Sequence, residues 1–364
     1  MPSDSRYARQ SVLPEIGPEG QAKIAAAKIL CIGAGGLGCP ALLYLAAAGV
    51  GQIGIVDFDT VEESNLQRQT LFTMDQIGCK KAEAAKERLS ALNPEIIIEA
   101  FAEELTDTNA VTLFDAYDIV IDGTDNFATK FLINDAALKT GTPFIYGSIL
   151  GFDGQLSVFN LHNGPCYRCL FPEPPSTYIP NCAQAGVIGA VAGMIGTAQA
   201  MEALKIVLGH PDLPPLSGKL WTINLRTMEN RLLVLPKDLD CPLCSCKREE
   251  ITLKYSSPVC GIIPEVTPTQ ACERCEKDNA LLVDVRETEE WDAGHIEGAR
   301  HIPLSALAQG LRPDLPDDCE IILYCQKGLR GQQATQILRA QGCLNISNMQ
   351  GGYALWLDEK PDDR

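Results

Sequence analysis

The feature that most restricts this chain is a glycine cluster set between two short apolar runs. Residues 29–32 (Ile-Leu-Cys-Ile) lead at once into Gly33, Gly35, Gly36 and Gly38. Helix-forming residues follow at 41–48, then a second apolar run at 53–56 that Asp57 closes. Strand, glycine turn, helix and strand in that order predict a parallel βαβ unit, because parallel strands need a crossover long enough to hold a helix. Gly33, Gly35 and Gly38 fit G-x-G-x-x-G, with Asp57 about twenty residues further on. Such glycines let backbone N–H groups at a helix N-terminus approach phosphates closely, and the acidic residue is expected to hold ribose hydroxyls. Alone, this fingerprint suits a nicotinamide dinucleotide at least as well as a nucleoside triphosphate.

With 364 residues, the chain has length for two domains. Its 46% hydrophobic and 21% charged residues describe a folded protein. A formal net charge of −17 disfavours nucleic acid and anionic membranes as partners. Any nucleotide site must therefore gather its own positive charge. The chain opens without a basic, apolar leader, so a cytoplasmic location is expected. The two most apolar stretches, 40–56 and 187–208, are interrupted by Gly49, Gly51, Gln52 and Gly54, and by Gln199, Glu202 and Lys205. They read as buried elements, not as membrane spans. The 15 cysteines are an odd count, which suits metal ligands, reactive thiols and core residues better than a disulfide framework.

Further buried strands are expected at 118–121 and 144–146. Residues 155–159 alternate as a half-exposed strand would, and 220–225 with 231–235 read as a hairpin. Pro165, Pro172, Pro174, Pro175 and Pro180 predict a mobile loop through 172–180. Residues 245–268 carry no pattern and read as linker. A second α/β pattern follows, with strands at 281–285 and 321–324 and a helix at 332–339. The expected division is 1–248, a linker at 249–265, and 266–364.

A triphosphate needs side-chain cations and usually a metal. Arg68 and Lys81 supply cations beyond Asp57-Phe58-Asp59, and Arg9 is a further candidate. Asp125, in Thr124-Asp125-Asn126 directly after a strand, is a candidate magnesium ligand. An isolated Arg or Lys is usually a solvated surface charge; here they sit inside a motif set. Residues 6–248 resemble the MoeB/ThiF family of ubiquitin-activating-like adenylyltransferases. The matching motifs are Arg6-Tyr7-Ala8-Arg9-Gln10, the glycine cluster, Asp57-Phe58-Asp59, Asn65-Leu66-Gln67-Arg68-Gln69-Thr70, Lys81, Thr124-Asp125-Asn126 and two Cys-x-x-Cys pairs. The resemblance implies a Rossmann-like α/β domain in which ATP adenylates the C-terminal glycine of a small ubiquitin-fold sulfur carrier ending in Gly-Gly. It assigns nucleoside contacts to Gly36 and Asp57 and phosphate contacts to Asn65, Arg68 and Lys81. Ser64, Leu66, Gln67 and Asn126 fall in the same cofactor-binding motifs. It gives Mg2+ to Asp125, and makes Arg9 an arginine finger reaching across a homodimer.

Cys166 and Cys169 form one Cys-x-x-Cys pair, and Cys241 and Cys244 another. Two such pairs can close a tetrahedral four-thiolate zinc site with no open position, which is a structural role. Cys246, two residues on, competes as a ligand; redox or merely buried cysteines are the plain alternative.

Cys325 ends the expected strand 321–324 and starts Cys325-Gln326-Lys327-Gly328-Leu329-Arg330, which leads into a helix. Successive N–H groups in such a turn form an anion nest, with Lys327 and Arg330 adding charge. Both effects would favour a thiolate and a persulfide. A phosphatase loop needs five residues between Cys and Arg; here four intervene. Asp284 and Arg286 read as structural partners, and His295 and His301 as packed or hydrogen-bonded. With Val283-Asp284-Val285-Arg286-Glu287, Gly294-His295-Ile296-Glu297-Gly298-Ala299 and Gly351-Gly352-Tyr353, residues from 266 onward resemble a rhodanese domain, which carries sulfane sulfur on this cysteine. Cys182 lies before a helix, in Pro180-Asn181-Cys182-Ala183-Gln184. In the resembled family a cysteine at this point forms a covalent link, as a thioester with the carrier or a disulfide with Cys325; helix capping is the plainer role. Cys31, Cys39, Cys79 and Cys343 read as core. Cys272 and Cys275 form a pair without a second pair, and Cys260 joins no complete site. The fused arrangement resembles molybdopterin-synthase sulfurylases and tRNA-thiolation activators, with a sulfur donor such as a cysteine desulfurase. Carriers for molybdopterin, thiamine, cysteine synthesis or tRNA thiolation all fit. A nicotinamide oxidoreductase with a sulfur-handling tail and a non-catalytic scaffold stand as alternatives; the intact Arg68, Lys81 and Asp125 weigh against the scaffold.

Overall fold

Strand β1 (Lys28–Ile32), the glycine turn, the helix Gly38–Ala48 and strand β2 (Gln52–Val56) form the βαβ unit in a computed structural model of the chain. The strands run parallel, with Lys28 opposite Gln52 and Ile32 opposite Val56. The structure describes residues 6–173, 186–253, 264–316, 319–343 and 345–359. They fall into two units.

In the first unit, six more strands join: β3 (Ile97–Phe101), β4 (Ile119–Asp122), β5 (Phe144–Leu150), β6 (Asp153–Phe159), β7 (Lys219–Asn224) and β8 (Glu229–Val234). Their order is β3-β2-β1-β4-β5-β6-β7-β8. The sheet is parallel as far as β5 and antiparallel beyond it. Strand order reverses between β1 and β4, so the crevice beyond their C-terminal ends is where this architecture places a ligand. Ile29, Leu30 and Cys31, and Ile119, Val120, Ile121 and Asp122, are all buried, as strands covered on both faces must be.

The helix Gly189–Leu208 packs against the Gly38–Ala48 helix, β5 and β6. It is long and apolar enough to cross a membrane, yet half of its apolar window is buried inside the fold. Its buried polar residues bond inside the fold, although Gln199 Oε1 lacks a partner among the described residues. Gln199 Nε2 donates to Asp122 O at 2.7 Å and Ile145 O at 3.2 Å, and Glu202 accepts from Leu216 N at 2.7 Å. This helix also explains a departure in β6. The alternation there suggests half exposure, but Leu156, Ser157, Val158 and Phe159 are all buried. β6 lies between two strands and beneath the helix, and Ser157 meets the cost of burial by donating to Lys219 O at 2.8 Å. β8, at the sheet edge, is exposed along its length.

The second unit carries a parallel sheet of β9 (Glu265–Val266), β10 (Leu281–Asp284), β11 (Arg300–His301), β12 (Ile321–Tyr324) and β13 (Ile346–Met349), ordered β11-β10-β12-β13-β9. The helix Leu329–Ala340 follows β12 after a short loop. Regular structure extends into both ends of the patternless stretch 245–268. Ile251 is buried with Leu138, Cys166 and Cys241, while β9 and the helix Pro268–Asp278 belong to the second unit. Cys182, Cys260 and most of the proline-rich loop lie outside the described residues.

Candidate active site

Gly33 has φ +91°, and its N–H donates to Val56 O at 2.8 Å. A Cβ on Gly38 would overlap the Gly33 carbonyl oxygen, so the turn closes only with glycine there. A Cβ on Gly123, just past β4, would lie 2.6 Å from the same oxygen. The ends of β1 and β4 thus meet at the glycine turn, bringing Thr124-Asp125-Asn126 beside it.

The segment after β2 closes the other side. Positions that Cβ atoms would take on Gly35 and Gly36 lie 3.9 Å from Gln69 Nε2 and 3.6 Å from Arg68 Cγ. Asn65 and Gln69 are buried, and Asn65 Oδ1 and Gln69 Oε1 lack a partner among the described residues. Orphaned buried amide oxygens suit a polar ligand. Arg68 is half-buried and donates to Ser64 O at 3.1 Å. Lys81 is buried and pairs with Asp59 Oδ2 at 3.0 Å.

Asp57 is committed to the backbone. Its Oδ2 accepts from Ala34 N at 2.8 Å and its Oδ1 from Asp59 N at 2.9 Å. The carboxylate expected at ribose hydroxyls therefore also braces the glycine turn. Burial pushes its pKa up, against the pull of Lys81. Asn126 likewise has a local duty: it caps the helix Phe127–Thr140 by accepting from Thr129 N at 2.8 Å. Asp125 is exposed beside it. Ser64 and Gln67 are exposed, and Leu66 packs against the core. Arg9 is exposed on the short helix Ala8–Ser11, and no described bond draws it to the glycine turn.

One pair at this site has no sequence signal. Lys130 Nζ lies 2.7 Å from Asp122 Oδ2 and 2.9 Å from Gly147 O, fully inside the fold. The other carboxylate oxygen accepts from Thr124 N at 3.0 Å and Thr124 Oγ1 at 2.7 Å. Asp122 and Lys130 thus fix the entry to Asp125.

The four expected thiols converge. The sulfur atoms of Cys166, Cys169, Cys241 and Cys244 all lie within 4.8 Å of one another. Adjacent pairs measure 3.8 Å (Cys166–Cys169), 3.7 Å (Cys166–Cys241) and 3.6 Å (Cys169–Cys244). A tetrahedron with metal–sulfur bonds of about 2.3 Å has edges of about 3.8 Å, so the donor set fits zinc in size and in chemistry. Cys246 turns away, its sulfur 3.0 Å from Pro242 O.

Cys325 is buried at the end of β12. Its sulfur receives the Gly328 N–H at 3.1 Å, and its carbonyl accepts from Tyr353 N at 2.7 Å. A Cβ on Gly352 would overlap that carbonyl, which explains the glycine there. Arg286 and Asp284 are structural partners, with Nη2 to Oδ2 at 2.7 Å, and Arg286 also donates to Gly294 O and Gln326 Oε1. Trp291 is stacked between His295 and His301, with ring centroids 3.6 and 4.7 Å away. Arg330 is held by Glu290 through bonds of 2.5 and 2.6 Å, a partner forty residues upstream that no motif announces. Among the cysteines read as core, Cys31 and Cys39 are buried. Cys79 is exposed in the turn after Gly78, and Cys343 is half-exposed. Cys272 and Cys275 are half-exposed on the Pro268–Asp278 helix.

Residues 7–244 match the ThiF family and residues 267–359 the rhodanese-like domain. The chain is 39% identical to the probable adenylyltransferase/sulfurtransferase MoeZ of Mycobacterium tuberculosis, over 99% of this chain and 94% of that one. It is 36% identical to the adenylyltransferase and sulfurtransferase MOCS3 of Culex quinquefasciatus, over 97% of this chain and 86% of that one. A sulfur carrier protein adenylyltransferase of Thermus thermophilus is 45% identical, over 71% of this chain and 96% of its own. Among solved structures, E. coli MccB superimposes with a TM-score of 0.60 at 21% identity, covering 70% of this chain and 74% of its own, a likeness of fold. MccB has also been solved with ATP, with a TM-score of 0.59. On these matches the chain belongs to the ThiF family and carries a C-terminal rhodanese-like domain.

Proposed function

We propose that the protein adenylates the C-terminal glycine of a small ubiquitin-fold sulfur carrier and then delivers sulfur to it from Cys325. The observation carrying this reading is one chain that joins two sites. One is a ThiF-family glycine turn faced by Arg68 and Gln69 and braced by Asp57, on which the charge of Lys81 acts; the other is a buried Cys325 sulfur receiving the Gly328 N–H. The names of the relatives support ATP over a nicotinamide dinucleotide as the nucleotide.

In the first step an oxygen of the carrier's terminal carboxylate attacks the α-phosphorus of ATP. Pyrophosphate leaves and an acyl adenylate forms. Arg68 and Lys81 offset charge growing on the phosphates, with Arg9 of a homodimer partner as an added cation; arginine fingers elsewhere contribute about 10³ to 10⁵ in rate. Asp125 would hold magnesium, which supplies further charge compensation on the phosphates. Asp122 and Lys130 keep the Asp125 segment in place.

In the second step the outer sulfur of a Cys325 persulfide attacks the acyl carbon and AMP leaves. Carrier and enzyme are then joined through an acyl disulfide. A second thiol, for which Cys182 is the candidate, attacks the Cys325 sulfur and frees the carrier thiocarboxylate. The remaining Cys325–Cys182 disulfide is reduced by an external dithiol. The four-cysteine cluster would hold zinc as a structural clip between segments 75 residues apart. A reducing cytoplasm, with a cysteine desulfurase as sulfur source, suits this chemistry. The carriers of molybdopterin, thiamine, cysteine and tRNA-thiolation pathways are the substrates to try. Each is incubated with the protein, ATP and a sulfur source, then weighed for replacement of one oxygen by sulfur. Cys325→Ala should still form the acyl adenylate and yield no thiocarboxylate. Loss of adenylation in that variant would refute the division of labour.

A further inference from the structure

The charges around Cys325 are paired off more completely than its loop sequence suggests. Arg286 spends its guanidinium on Asp284, Gly294 O and Gln326. Arg330, the loop's closing residue, is gripped by both carboxylate oxygens of Glu290. Glu290 has a further anchor of its own. It sits on the helix Thr288–Asp292, its Oε2 also accepts from Glu287 N at 3.3 Å, and the next residue, Trp291, is clamped between His295 and His301. On the described loop this leaves Lys327, exposed to solvent, as the cation without a carboxylate partner.

A charge count then separates two classes of sulfur donor. With an organic persulfide, the Cys325 thiolate attacks the outer sulfur, a Cys325 persulfide forms and one thiolate leaves. With thiosulfate, the same thiolate attacks the outer sulfur of a dianion and sulfite leaves as a dianion. The second reaction gathers one more negative charge at the sulfur, beside a loop that offers one unpaired cation. The geometry points to Glu290 as a specificity-determining residue: by neutralising Arg330 it biases Cys325 towards singly charged persulfide donors and against doubly charged inorganic ones. This rests on the proposed role of Cys325 as sulfur acceptor.

The test uses the full chain and measures Cys325 persulfide formation with cysteine persulfide and with thiosulfate. In Glu290→Gln the ratio of kcat/KM for thiosulfate to that for cysteine persulfide should rise about tenfold, the factor that one unmasked unit charge gives across a partly wet contact. The gain should fade with added salt. Glu290→Asp keeps the charge but shortens the side chain, and should leave the ratio near wild type. An unchanged ratio in Glu290→Gln, or an equal rise in Glu290→Asp, would overturn the assignment and reduce Glu290 to a packing residue. Should wild type form no Cys325 persulfide with either donor, the proposed function itself falls, a result distinct from an unmoved ratio.

Discussion

Lys130→Met tests the least visible part of the nucleotide site. Lys130 Nζ is 2.7 Å from Asp122 Oδ2, and the side chains of both are essentially closed to water. Methionine fills most of the same volume without the charge. It leaves a buried carboxylate supported by Thr124 alone, and leaves Gly147 O without its lysine donor. Breaking a buried pair by removing one partner costs about 3–5 kcal/mol. At about 1.4 kcal/mol per tenfold, that is roughly two to three and a half orders of magnitude in amide protection across β4 and β5. Native-state hydrogen exchange with peptide-level mass spectrometry reads it without interference from the second unit. Asp122→Asn combined with Lys130→Met removes the stranded charge while keeping an acceptor for Thr124. It should recover about 2 kcal/mol relative to Lys130→Met. A Lys130→Met protein protected to within threefold of wild type would refute the reasoning. So would a double variant no better than the single one.

Arg68→Ala and Lys81→Ala should each lower carrier-dependent ATP–pyrophosphate exchange by orders of magnitude; near-normal exchange in both would remove them from the phosphate site. Cys169→Ser should abolish binding of one zinc equivalent per chain and lower the unfolding temperature of the first unit, since structural zinc binds with about 10–16 kcal/mol of apparent free energy. Metal analysis and calorimetry check this together, and zinc retained at full stoichiometry would contradict the four-thiol site. Gly38→Ala puts a methyl group onto the Gly33 carbonyl, so ATP binding by calorimetry should weaken at least about tenfold.

The parts of this protein legible in its sequence are those whose geometry is local. A glycine turn after a strand, two thiols three residues apart and a cysteine opening a strand-to-helix loop each specify their own backbone. The parts that were not legible depend on what the rest of the fold brings close. Lys130 stands beside Phe131, Leu132 and Ile133, and nothing there distinguishes a solvated lysine from one turned inward to Asp122. Ser157 looked like the outward position of an alternating strand, until a helix and two flanking strands enclosed it and Lys219 O accepted its hydroxyl. Asp57 was read by its place in a fingerprint, yet both of its oxygens first answer to backbone N–H groups at 2.8 and 2.9 Å. The same reasoning bears on the Cys325 loop. Lys327 and Arg330 are two positive charges when read along the chain, but Glu290, forty residues away, cancels one of them. Counting charges by motif therefore overstates the unpaired positive charge beside Cys325, and on the proposed role of that thiol its choice of donor turns on a carboxylate outside the loop.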